Sequence, residues 1–137
     1  MNADALAALH AAAETVDRPW SARDFDDILG RPGALLIADG DTFALGRVTL
    51  DEAELLMIAA HPDVRRRGRA TAALRAFHAA ARARGAVRAI LEVAEDNGPA
   101  RALYVAHGYV ADGCRPGYYR RRDRPPVAAI VMARPLS

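Results

Sequence analysis

No lysine occurs in this chain: its 19 basic residues are all arginine, and against 17 acidic residues they leave a formal net charge of +2. So small an excess directs attention to local arginine clusters rather than to the charge of the whole molecule. A single cysteine, Cys114, excludes an internal disulfide. The four histidines, His10, His61, His78 and His107, stand far apart with no ligand spacing, so no metal site is expected. No apolar run approaches a membrane span. The opening segment from Met1 to Ala13 is alanine-rich, but it carries Asp4 and no basic n-region. A secretory signal is therefore not expected, and the cytoplasm is the expected address.

What is present fits a folded unit. At 137 residues, 52% apolar and 26% charged, the chain is long enough for one real core and too short for two ordinary domains. It shows no internal repeat and no Pro/Gly/Ser linker, so residues 1–137 are expected to form one domain.

The pattern along the chain is mixed. Ala3 to Glu14 reads as a helix, and after a turn at Asp17 to Trp20, Ser21-x-x-Asp24 is a capping-box variant that opens a second helix, ended by Gly30 to Gly33. Ala34 to Ala38 and Thr42 to Leu50 are strand-like runs separated by the hairpin signal Asp39-Gly40-Asp41, and Glu54 to Ala60 adds a third. The period then changes: Ala70, Leu74, Phe77 and Ala81 line one helical face, closed by Gly85. Val87 to Ala94, Asn97 to His107, Tyr109 to Arg115 and Ala128 to Ala133 follow as strand, helix, strand and strand. A meander followed by alternating strands and helices predicts an α/β fold with a mixed sheet flanked by helices.

Two arginine clusters stand out. Arg65, Arg66, Arg67 and Arg69 lie around Gly68, between the strand ending at Ala60 and the long helix. A helix start offers N–H groups without intrahelical partners and a partial positive charge, which suits a pyrophosphate. Gly68, lacking a Cβ, lets the backbone approach closely. Arg115, Arg120, Arg121, Arg122 and Arg124 form the second cluster, which lacks the interleaved aromatics of a single-strand binder. It is expected to be a solvated loop, and nucleic-acid binding is not expected.

Arg65, Gly68 and Ala70 resemble the coenzyme A signature Q/R-x-x-G-x-G/A of the GNAT superfamily of N-acetyltransferases. Asn97, Ala100, Leu103-Tyr104 and Gly108-Tyr109 resemble its N-x-x-A-x-x-L-Y-x-x-x-G-F/Y block. Pro19-Trp20-Ser21 with Phe25, Leu50-Asp51-Glu52-Ala53 and Tyr118-Tyr119 are similar to segments of the RimI-like ribosomal-protein-alanine N-acetyltransferases. The similarity runs from about Pro19 to the C-terminus. Pro125-Pro126-Val127 departs from it where RimI relatives often carry an acidic residue, which bears on the acceptor rather than on the chemistry.

The resemblance implies the GNAT fold, with a mixed and mostly antiparallel central sheet, and acetyl-CoA as cosubstrate. It implies coenzyme contacts from Ile58, Ala59 and Ala60, from Arg65, Arg66, Arg67, Gly68, Arg69, Ala70 and Thr71, and from Asn97, which can also cap its helix. Strands splaying after Ala60 would expose backbone groups to the amide-rich pantetheine arm. Glu92 matches the general base and faces away from Leu91 and Val93 by strand alternation. Tyr104 matches the general acid; a phenol near pKa 10 would donate to a thiolate whose thiol lies near about 8.5. Cys114 matches no nucleophile, so direct transfer is expected. An α-amine is neutral in roughly one molecule in ten at pH 7 and a lysine in about one in 2500, so a carboxylate base suits a protein N-terminus. The acceptor implied is the N-terminal alanine of a small-subunit ribosomal protein. A different amine, or a noncatalytic acetyl-CoA sensor, stays open.

Overall fold

The computed structural model describes residues 1–13, 19–64 and 68–136. Glu14, Asp17 and the three arginines Arg65, Arg66 and Arg67 lie outside the described residues. In chain order the elements are α1 (Ala3–Ala13), α2 (Ala22–Leu29), β1 (Ala34–Asp39), β2 (Thr42–Thr49), β3 (Glu52–Ala60), α3 (Arg69–Ala83), β4 (Arg88–Ala94), α4 (Gly98–Ala106), β5 (Val110–Tyr119) and β6 (Val127–Pro135). One turn of 3-10 helix at Pro62–Val64 precedes α3.

Local signals set several boundaries. Ser21 Oγ accepts from the Asp24 N–H while Asp24 accepts from the Ser21 N–H, which completes the capping box on α2. Asp39 pairs with Thr42, so the turn between β1 and β2 consists of Gly40 and Asp41, with Gly40 at a φ of 59°. The preceding Pro19-Trp20 segment is anchored as well: the Trp20 N–H donates to His10 Nδ1 at 3.0 Å, and the Trp20 ring tilts against Phe25 at 5.3 Å.

The strands form a single six-stranded sheet in the order β1-β2-β3-β4-β6-β5. Every neighbouring pair is antiparallel except β3 and β4, which run parallel and are connected through α3. The two faces bury separate clusters. Leu74, Phe77 and Ala81 of α3 and Tyr104 of α4 pack with Leu35, Ala44, Ala53, Leu55, Leu91 and Met132. Leu6 and Leu9 of α1 and Phe25 of α2 pack with Phe43, Leu45 and Ala59 on the opposite face. Of the expected α3 face, Leu74, Phe77 and Ala81 are buried and Ala70 is only partly covered, while Ala73 and His78 complete the stripe. Gly46 makes the close packing of α3 possible, because a Cβ there would run into the Phe77 ring and the Glu54 carbonyl.

Three expectations change. β3 begins at Glu52 rather than Glu54, since Glu52 pairs both with Thr49 and with Arg88. β5 starts at Val110 and continues past Arg115 to Tyr119, across Pro116 and Gly117. Proline is tolerated there because β5 is an edge strand, and the pairing with β6 is irregular between Arg115 and Tyr119. The third change is that β3 and β4 part before Ala60, their last ladder pair being Leu55 with Leu91.

Two buried polar groups give stability predictions. His78 shares a 2.7 Å hydrogen bond with the Tyr109 hydroxyl and is 3% exposed. Burial, helped by the charges of Arg134, His107 and Arg82, lowers its pKa from 6.5 to about 4. The unfolded chain therefore takes up this proton first. Stability is full above about pH 6.5 and falls as the pH drops to about 4, by on the order of 3 kcal/mol. Denaturant titrations of the wild type and His78→Gln across this range check the assignment; an equal loss in both assigns it elsewhere. Thr42 Oγ1, in contrast, is buried with no hydrogen-bond partner among the described residues. Thr42→Val is expected to raise stability by about 1 kcal/mol, since it removes a desolvated hydroxyl at nearly constant shape; a lower denaturation midpoint would contradict this.

Candidate active site

The parallel pair β3–β4 is short. Ladder pairs join Glu52 with Arg88 through Leu55 with Leu91, and there they stop, although β3 continues to Ala60 and β4 to Ala94. The cause is visible on the other side of β3. Gly46 pairs with Leu55 but Leu45 pairs with Met57, so Leu56 is an extra residue in β3. The bulge bends the strand and reverses its alternation. Ala53 and Leu55 face α3 before it, whereas Ile58 faces that side after it and Met57 and Ala59 face α1 and α2. The strands therefore part at Leu56, not after Ala60 as the sequence suggested. Along Met57 to Ala60 and Glu92 to Ala94 the two facing edges share no ladder pair, so backbone N–H and C=O groups of Ile58, Ala59 and Ala60 border an open gap.

The mouth of α3 follows directly from the end of β3. Its N-cap, Gly68, has a left-handed φ of 72°, and no side chain caps the helix. The other three helices differ: Asn2 accepts from Ala5 N–H at 2.9 Å, Ser21 caps α2, and Asn97 accepts from Ala100 N–H at 3.3 Å on α4. Among the described residues no side chain caps the first-turn amides of α3, at Arg69, Ala70 and Thr71, and no acidic residue sits in that turn. A Cβ on Gly68 would meet no described residue within 4 Å. These features fit a diphosphate carried on a long amide-rich arm laid in the gap. The Arg69 guanidinium reaches back to Asp39 at 3.3 Å in an exposed pair, an interaction worth about 0–1 kcal/mol that leaves the arginine able to turn toward a ligand.

Glu92 and Tyr104 flank the gap from opposite faces of the sheet. Leu91 and Val93 belong to the α3–α4 cluster, so Glu92 points to the other face. Its side chain is 25% exposed and its Oε1 lies 3.1 Å from Arg115 Nη2. Tyr104, 8% exposed, packs edge-on to Tyr109 at 5.7 Å, and its hydroxyl makes no hydrogen bond to a described residue. Burial, with the phenol of Tyr119 adding to it, pushes its pKa up to about 12. Tyr104 is thus a weaker acid than the free phenol assumed from sequence, but it carries its proton at every physiological pH. Asn97 stands where β4 gives way to α4, at the same end of the sheet as Gly68.

The second arginine cluster is not the freely solvated loop expected. Arg121 is 5% exposed and, with Arg124, binds Asp96; Arg115 is on Glu92. These three guanidinium groups already face carboxylates, which removes much of the charge a nucleic acid would meet. The sequence carried the signal, Asp96 next to Asn97, but nothing in the spacing tied it to residues so far along the chain. Among the described residues no group of three or more His, Cys, Asp and Glu could hold a metal ion. No helix among them is long and apolar enough to cross a membrane.

A parallel strand pair parted by a bulge, with an uncapped helix mouth at its open end, suits a ligand that joins an anionic head to an extended amide-rich arm. Residues 6–109 match the acetyltransferase (GNAT) family, and the chain belongs to it; it is an N-acetyltransferase. The chain is 35% identical over 138 residues to the [Ribosomal protein bS18]-alanine N-acetyltransferase of Escherichia coli K12, covering 98% of this chain and 93% of that one. The crystal structure of the ribosomal-protein-S18-alanine N-acetyltransferase from Escherichia coli superposes with a TM-score of 0.88 at 33% identity, covering 98% of this chain and 88% of the other. The fold is shared more widely: a structure of the NatC complex bound to Gag peptide and CoA matches with a TM-score of 0.80 at 15% identity, over 99% of this chain and 93% of that one.

Proposed function

We propose that residues 1–137 form one acetyltransferase domain that moves acetyl from acetyl-CoA directly onto the N-terminal α-amine of a protein, an alanine-initiated ribosomal protein in the cytoplasm. The observation that carries the reading is the gap opened at Leu56 and ending at the uncapped mouth of α3. The acceptor follows the bacterial relatives, whose names specify the alanine of bS18. Amides of Gly68, Arg69, Ala70 and Thr71 hold the diphosphate, with Arg65, Arg66, Arg67 and Arg69 adding charge around it. Backbone groups of Ile58, Ala59 and Ala60 hold the pantetheine arm, and an N–H there polarises the carbonyl to be attacked. Asn97 lines the far side at the entrance of α4.

Bound acetyl-CoA supplies an activated acyl group as a thioester. Glu92 receives the proton that the amine loses as its nitrogen bonds to the acetyl carbon, directly or through a water. Tyr104 donates toward the sulfur as the carbon–sulfur bond breaks. With a pKa near 12 against a thiol near about 8.5, Tyr104 acts by a hydrogen bond that strengthens as charge builds on sulfur, and full proton transfer is completed by solvent. No loss of rate from Tyr104 ionisation is therefore expected up to about pH 10; a rate profile that falls between pH 8 and 10 in the wild type but not in Tyr104→Phe would contradict this assignment.

The functional test offers acetyl-CoA with an alanine-initiated ribosomal peptide, the same peptide blocked at its N-terminus but carrying lysine, and a panel of small amines, and follows release of free thiol. Transfer to the free α-amine alone is expected. Transfer only to small amines overturns the acceptor, and coenzyme binding without transfer to any amine makes the protein a sensor.

A further inference from the structure

The arginine-rich stretch from Arg115 to Arg124 has no part in the chemistry above, yet it is fastened at both ends. It forms the end of β5 and the turn toward β6. At its start Arg115 Nη2 lies 3.1 Å from Glu92 Oε1, and the same guanidinium sits over the Tyr118 ring at 5.2 Å. At its far end Arg121 donates through Nε and Nη2 to the two oxygens of Asp96, at 2.7 and 2.8 Å, and Arg124 donates to the same carboxylate. Arg121 also lies over the Tyr119 ring at 5.7 Å. Asp96 immediately precedes Asn97, the cap of the helix that carries Tyr104. One hairpin thus touches the strand bearing the candidate base and the helix entrance leading to the candidate acid.

The two fastenings differ in strength. The Arg115 side chain is 56% exposed, and ion pairs this open hold little by themselves. Arg121 is 5% exposed and bound through a planar two-pronged fork, which fixes direction as well as distance. Its charge cannot turn toward water without giving up both prongs of the fork on Asp96. The rigid end is therefore the Asp96 end.

We propose that Asp96, with Arg121 as its bidentate partner, is a positioning residue for acetyl transfer: it clasps the β5–β6 hairpin against the entrance of α4 and thereby keeps Arg115, with the Tyr118 ring it lies over, on Glu92. Asp96 touches neither substrate. Its roles for Glu92 and Tyr104 rest on the reading given under Proposed function, whereas the clasp itself does not. The hydrogen bond from Arg121 holds the Asp96 carboxyl at about 2, so the clasp is closed at any pH at which the enzyme works.

The test is Asp96→Asn, which keeps the shape and removes the charge, followed by amide hydrogen exchange, coenzyme calorimetry and kinetics with the α-amine peptide. Exchange in residues 117–126 is expected to quicken by about tenfold or more while β2 and β3 stay unchanged. The acceptor KM is expected to rise by about tenfold with coenzyme affinity held within about twofold. Asp96→Glu recovers most of both, and Arg121→Lys does not, because an ammonium lacks the fork. Arg124→Gln, at the exposed arm of the clasp, supplies a milder loosening should Asp96→Asn fail to fold. Unchanged exchange in residues 117–126, or coenzyme affinity falling in step with the acceptor KM, overturns the proposal. The exchange measurement needs no acceptor, so faster exchange in a protein that acetylates no peptide supports the clasp while removing the acceptor reading.

Discussion

Tyr104→Phe is expected to lower kcat by about a hundredfold or more while changing the dissociation constant of the coenzyme by less than about twofold. Tyr104 projects from α4 into the cluster beneath the gap, and its hydroxyl has no hydrogen-bond partner among the described residues. Removing an oxygen that bonds to nothing in the resting protein costs little stability. Its loss matters when negative charge grows on the departing sulfur, because a donor already held there stabilises that charge as it forms. Phenylalanine keeps the packing against Tyr109, so the fold and the coenzyme site are preserved. Rapid-quench measurement of a single turnover isolates the chemical step; an unchanged rate there would remove Tyr104 from the mechanism and leave it a core residue.

Glu92→Gln is expected to reduce kcat/KM by about a hundredfold at pH 7, with the deficit shrinking as the pH rises toward 9. The acceptor α-amine has a pKa near about 7.7 to 8.0, so raising the pH supplies the neutral nucleophile and hydroxide without help from a carboxylate. Glu92→Gln also releases Arg115, whose guanidinium otherwise lies against the carboxylate. Arg115→Gln separates the two effects, since it frees Glu92 without deleting it. A deficit in Glu92→Gln that Arg115→Gln reproduces in full, with no dependence on pH, would show that the ion pair and not the base is what matters. Kinetics over pH 6 to 9 on the two variants decide it.

The parts of the fold that were legible in the sequence are those built from neighbours along the chain. Asp39-Gly40-Asp41 marks its own turn, Ser21 and Asp24 cap the helix they begin, and Leu74, Phe77 and Ala81 repeat with the helical period that buries them. In the candidate site, Gly68 at the junction of a strand and a helix and Glu92 within an apolar alternation stand out locally, but the roles proposed for them come from the family resemblance. The bulge at Leu56 was not. Leu55, Leu56 and Met57 are all apolar, so no change of pattern marks the residue where the alternation reverses, and the parting was placed too late along β3. Pro116-Gly117 reads as the end of a strand unless it is known that β5 is an edge, which is a property of the whole sheet.

Pairings between distant positions were equally hidden. Asp96 with Arg121, and His78 with Tyr109, join residues 25 and 31 apart, and neither partner has a local motif that announces the other. Composition even misled in the first case. Five arginines within ten positions suggest a solvated, charge-repelling loop, but a single carboxylate at the entrance of α4 draws in two of them. The second case appears in the sequence only as a histidine beside Phe77 on the buried face of α3, and it is burial, helped by the charges of Arg134, His107 and Arg82, that depresses its basicity.

The central claim is that main-chain amides at the mouth of α3 grip a diphosphate. Calorimetric titration of the folded protein with acetyl-CoA and with S-acetylpantetheine, which lacks the diphosphate, tests it directly. The account predicts micromolar or tighter binding of the coenzyme and a loss of about tenfold or more for the truncated form. Equal affinity for the two would place the grip elsewhere, and no detectable association with acetyl-CoA would contradict the account at its base.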